Sequence, residues 1–150
     1  MNARRVLTLC LVLACSCMAQ QDATELRKKA ESSSGVPCVR LYLQASRIGL
    51  EEADRDFAAS DTKAAHQALD AAVHDVGHAV ECSLHTPKSQ KNAEIGLREL
   101  SRRITAMEHS IEAEERSYLA STRAEVERQR DRLLHSMFGD AAGKGGEKKH

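Results

Sequence analysis

The stretch from Val36 to Leu84 most constrains what this chain can become. Val39, Leu43, Ser46, Leu50, Ala53 and Phe57 recur at steps of four and three, which puts them on one face of an α-helix. Cys38, Leu41, Ala45 and Ile48 add a second stripe over the first half, so this helix from about Pro37 to Ala59 expects neighbours on two sides. Its second half turns polar through Glu51, Glu52, Asp54, Arg55 and Asp56. Ala59-Ser60-Asp61-Thr62 reads as a turn, with Asp61 or Ser60 capping a second helix that ends near Leu84. On that helix Leu69, Val73, Val76, Val80 and Leu84 make a large apolar face. Ala64, Ala68, Ala71, Ala72, Ala79 and Cys82 make a small-residue face, which lets two backbones approach closely.

The two helices fold back on each other about Ser60. In an antiparallel hairpin, residues equally distant from the turn sit at one level. Cys38 lies 22 residues before Ser60 and Cys82 lies 22 after it, so the two cysteines are level. A disulfide needs Cα atoms about 4.4–6.8 Å apart, closer than ordinary helix packing. The alanine ridge makes that approach reachable, and we expect a Cys38–Cys82 disulfide. Closing a loop of this size stabilises by about 4 kcal/mol in the chain-entropy account.

The start of the chain reads as a targeting segment. Arg4 and Arg5 precede an apolar run from Val6 to Ala14, and small residues and Gln follow. A positive flank, a short apolar run and a small-residue exit make an export signal. The run is well short of the ~20 residues that span a bilayer, and the rest of the sequence offers no other membrane-crossing candidate. Two processing readings stay open. Cleavage after Ala19 uses Cys17 and Ala19 as the small residues. Alternatively, Val12-Leu13-Ala14-Cys15 resembles a bacterial lipobox with Cys15 as the lipidated residue, although Leu13 stands where such motifs prefer a small side chain. Cleavage after Ala19 removes Cys10, Cys15 and Cys17 and leaves two cysteines, the even number expected in an oxidising compartment. The expected location is therefore periplasmic or secreted, with an envelope lipid anchor under the second reading.

Residues 20–36 read as a flexible segment, with a short helix from Asp22 to Glu31 and a Ser32-Ser33-Ser34-Gly35 linker. Thr86-Pro87 opens a second hairpin spanning 87–138. Ala93, Leu97, Leu100, Ile104, Met107 and Ile111 form its first stripe. Arg98, Glu99, Arg102, Arg103, Glu108 and Glu112 occupy the other faces, as a solvated surface would. Apolar character fades at Glu114-Glu115, and a break is expected near Arg116-Ser117. The last helix uses Val126, Leu133, Leu134, Met137 and Phe138, and Gly139 is its C-cap. Residues 139–150 are Gly/Lys-rich, the composition of a disordered tail.

Apolar residues make up 41% and aromatics 3%, with no Trp and an abundance of Ala, Glu, Arg and Leu. That balance predicts an all-α fold. The expected architecture is a pair of antiparallel hairpins, 37–84 and 87–138, forming a four-helix bundle or a long coiled-coil-like bundle. Lys+Arg equals Asp+Glu at 22 each, so no charge excess points to nucleic acid.

Glu51 to Val73 resembles one tetratricopeptide-type helical hairpin, through Ala53, Phe57, Ser60-Asp61, Ala65, Leu69 and Ala72. The usual turn Gly is Ser60 here, and the usual aromatic after the Asp is Thr62. Arrays of such repeats bind peptides in a groove, but about three copies are needed. One copy implies hairpin packing rather than a groove. Ile95 to Ile104 and Leu133 to Gly139 are similar to stretches of small exported bacterial helical proteins of no assigned activity. That likeness implies no functional residue.

Candidate chemistry centres on a polar stripe of the second helix: Asp70, His74, His78, Glu81 and His85. Residues four apart share a helical face, so His74 and His78 can grip one ion, with Glu81, His85 or Asp75 adding a ligand. Copper, zinc or nickel fits such a set. The competing reading is a solvent-facing stripe that points away from the hairpin partner. A di-iron site is disfavoured, because only Asp75-x-x-His78 approaches the pattern that two helices must supply. No Gly-x-Ser-x-Gly turn and no Gly-rich phosphate loop occurs. The leading expectation is a non-enzymatic protein with a protein partner or a second copy of itself; a metal-binding module is the alternative.

Overall fold

The computed structural model describes residues 23–139, which form five α-helices and no strand. Helix α1 covers 23–31, α2 Gly35–Ala58, α3 Thr62–Leu84, α4 Pro87–Ser110 and α5 Arg116–Phe138. The expected signal segment, the Cys15 lipidation site and the C-terminal tail beyond Gly139 lie outside the described residues.

The α2–α3 turn works as read, with more detail than the sequence offers. Ser60 takes φ 59°, the left-handed conformation usually left to Gly. The Asp61 N–H donates to the Asp56 carbonyl at 2.8 Å and the Ser60 N–H to the Phe57 carbonyl at 2.9 Å, so the last carbonyls of α2 are satisfied. The Asp61 side chain accepts from the Ala64 N–H at 3.1 Å and caps α3. Small residues then close the helices together. A Cβ on Gly49 would lie 3.0 Å from the Ala72 Cβ and 3.1 Å from the Ala68 carbonyl oxygen. At the far end Cys38 and Cys82 form the expected bridge, their Cα atoms 6.2 Å apart.

The second hairpin differs from expectation at its turn. Helix α4 ends at Ser110 and α5 starts at Arg116, so the break falls at 111–115, ahead of Arg116-Ser117. Pro87 sits in the first turn of α4 as expected, but the Thr86 side chain makes no cap bond. On α5 the buried residues are Leu119, Thr122, Val126 and Leu133. Phe138, expected on the apolar face, is 62% exposed because it lies in the last turn, past the helices that could cover it.

The hairpins lie one on the other, like helix against like helix. Arg47 of α2 meets Glu99 of α4, and Glu51 meets Arg103, both 52 residues apart. Asp70 of α3 meets Tyr118 of α5 at a separation of 48, and Glu81 meets Arg132 at 51. A near-constant separation means that α2 runs parallel to α4, and α3 parallel to α5. Leu43, Leu50, Leu69, Val76, Val80, Leu97, Leu100, Ile104, Leu119, Val126 and Leu133 fill the shared interior. Fully burying each such side chain is worth about 1.5–3 kcal/mol.

The short helix read at Asp22 to Glu31 forms as α1, and it packs on the hairpin rather than staying flexible. Ala23 and Ala30 of α1 are buried, and Ala30 joins the core cluster. Arg27, between them, reaches Asp75 of α3. Helix α2 begins two residues earlier than read, at Gly35, whose φ of 65° turns the chain out of the 32–34 connection.

Candidate functional site

Helix α1 closes one side of a concave feature on α2 and α3. Arg27 donates through Nε and Nη2 to both carboxylate oxygens of Asp75, at 2.8–3.0 Å. Asp75 is fully buried, and this bidentate pairing compensates its charge. The same bond raises the Arg27 guanidinium above its ordinary pKa.

Beside this pair opens a cleft of about 300 Å³, lined by Thr24 and Arg27 of α1, Glu52, Arg55 and Asp56 of α2, and Ala64, Gln67, Ala68 and Ala71 of α3. The alanines that let α2 and α3 approach also leave room for it. Its two carboxylates, four residues apart on α2, share one helical face. Burial raises the Glu52 carboxyl, against the pull of Arg55 and Arg27. Burial also raises Asp56, with Asp61 adding to the effect and Arg55 opposing it. Glu52 Oε1 is buried with no hydrogen-bond partner. A buried acceptor left unpaired costs free energy that a donor would recover. The cleft thus sets the carboxylates of Glu52 and Asp56 beside the guanidinium groups of Arg27 and Arg55.

A second cluster ties the hairpins together at the turn end. The His66 ring stacks on Tyr118 with centroids 3.7 Å apart and meets the Phe57 ring edge-on at 6.1 Å. His66 Nε2 lies 2.6 Å from Glu115 Oε2, which holds the α4–α5 connection against α3. The Tyr118 hydroxyl donates to Asp70, and burial together with that bond pushes its pKa up to about 12.

Of the residues singled out from sequence, the structure joins some and separates others. His74 and His78 come together, Nε2 to Nε2 at 3.3 Å. The His78 ring also stacks on Tyr42 of α2, with centroids 4.9 Å apart, so this stripe does not point wholly away from the hairpin partner. Glu81 is engaged by Arg132 at 2.6 Å, Asp70 by Tyr118, and Asp75 by Arg27. His85 lies exposed at the end of α3. Among the described residues no three His, Cys, Asp or Glu side chains surround one point. Two of the basic residues of α4 are paired: Arg98 faces Glu94 at 3.7 Å and Arg103 faces Glu51 at 3.3 Å.

Sequence reasoning missed Arg27, Glu52, Asp56 and His66 as members of sites, and it took Asp75 for a possible metal ligand where the structure makes it the buried partner of Arg27. One signal was available for Asp75, which sits beside Val76 and between Ala72 and Ala79 on the face that becomes core. No described helix is long and apolar enough to cross a membrane. The chain matches no known protein family, no curated protein and no solved structure.

Proposed function

We propose that this chain is an exported, non-enzymatic interaction protein of the cell envelope. Its two antiparallel hairpins pack as a four-helix bundle, the Cys38–Cys82 bridge clamps one of them, and the α1–α2–α3 cleft receives a basic segment of a protein partner. The observation that carries this reading is the unpaired, buried Oε1 of Glu52 in a cleft that also holds Asp56. A lysine or arginine side chain supplies both the missing donor and the countercharge. The bridge supports an oxidising location.

The test is a titration of the bridged chain with short Lys/Arg-bearing peptides, followed by calorimetry. Saturable binding that weakens at least tenfold in Glu52→Gln with Asp56→Asn supports the reading. Binding indifferent to those substitutions, or no binding at all, overturns it. Sedimentation in the same buffer separates a distinct partner from a second copy of the chain.

A further inference from the structure

We propose that His74 and His78 of α3 form a two-imidazole site for a divalent transition-metal ion, Zn²⁺ by geometry, on the flank of the first hairpin. This site is separate from the cleft and does not depend on it.

The argument rests on the bite of the pair. A tetrahedral Zn²⁺ lies about 2.0–2.1 Å from each imidazole nitrogen, which requires the two nitrogens to sit about 3.3–3.4 Å apart. His74 Nε2 and His78 Nε2 are 3.3 Å apart. The spacing comes from the helix, since residues four apart stand over one another on one face. Helical spacing alone leaves each ring free to rotate, and here one ring is held. His78 stacks on Tyr42, with 17° between the planes, and Tyr42 is itself buried. Less ordering is left for the ion to impose, and preorganised ligands bind more tightly.

Both histidines are exposed, so an ion reaches them without the helices opening. The chain supplies two ligands, because no third His, Cys, Asp or Glu among the described residues converges there. Water fills the remaining positions. Imidazole suits copper and nickel as well, and Cu²⁺ binds more tightly than Zn²⁺ to most such sets.

The test is calorimetric titration of ZnCl₂ into the full, bridged, chelator-treated chain near neutral pH, alongside His74→Ala, His78→Ala, the double variant and His85→Ala. We expect one saturable Zn²⁺ per chain and at least tenfold weaker binding in each single variant. The double variant should lose the site, and His85→Ala should bind as the parent does. Thermal unfolding with and without ZnCl₂ gives a second readout: the midpoint should rise in the parent and not in the double variant. Circular dichroism confirms that each variant is folded. No saturable Zn²⁺ binding, binding unchanged in the double variant, or an equal loss in His85→Ala would each sink the proposal.

Discussion

The two hairpins have nearly the same dimensions, helices of 24 and 23 residues in each, yet they are held together by different means. In α2–α3 the backbones approach closely. Gly49 leaves little room for a Cβ against Ala68 and Ala72, and a disulfide closes the open end. In α4–α5 longer side chains span a wider gap. Arg123 meets Glu108 at 2.9 Å, Arg130 meets Glu94 at 2.9 Å, and the Ser101 hydroxyl donates to Glu127. Close approach needs alanine and glycine, which α2 and α3 supply. Bridging by charge needs Arg and Glu, which α4 and α5 supply. Part-exposed ion pairs contribute little each, so the first hairpin should carry more of the stability per contact.

The largest test of that contrast is the bridge. Replacing Cys38 and Cys82 with Ser removes a cross-link spanning 44 positions, and denaturant unfolding should lose about 4 kcal/mol. Reducing the parent protein should reproduce the loss without any substitution. Next comes the pair that fastens α1 to the first hairpin. Arg27→Met strands the fully buried Asp75 charge and should cost about 3 kcal/mol, and adding Asp75→Asn should recover much of it. Recovery separates loss of charge compensation from loss of packing.

A smaller effect sharpens the comparison from the glycines. Gly49→Ala pushes a methyl against the Ala68 carbonyl and the Ala72 Cβ, which cannot swing away, and should cost about 2 kcal/mol. Gly96→Ala meets the Leu43 methyls at 2.8 and 3.2 Å, the movable end of a side chain. It should cost clearly less by the same unfolding measurement.

The smallest effect is expected at the joint between the hairpins. Burial and the bond to Asp70 push the Tyr118 phenol up to about 12, from 10.0 for an ordinary tyrosine. The Tyr118–Asp70 contribution is thus complete below pH 10 and declines as pH rises toward 12. Unfolding measured between pH 9 and 11 should show a shallower decline in Tyr118→Phe than in the parent.

The periodic segments were readable in advance because their signals are local. Helix spacing, the turn at Ser60 and the level cysteines follow from intervals along one chain. The break before α5 was placed late because no Gly or Pro marks it, and Glu114-Glu115 are as compatible with a helix as with its end. The cleft was not readable at all. It depends on α1 lying against α2 and α3, held by the burial of Ala23 and Ala30 and by Arg27 with Asp75, a pair 48 residues apart in sequence. For the proposed metal site, sequence reasoning named His74 and His78 correctly as face-sharing neighbours. It also gathered in Glu81 and His85, because spacing does not reveal that Arg132 of another helix takes Glu81.

By itself, then, the sequence determined where the helices run and which cysteines meet, since periods of three and four residues set both. Only the tertiary structure decided how the hairpins stack, which acidic residue goes inside, and which polar side chains are left free to bind. Those outcomes turn on partners about fifty residues away, and the identity of such a partner is written nowhere in the local pattern.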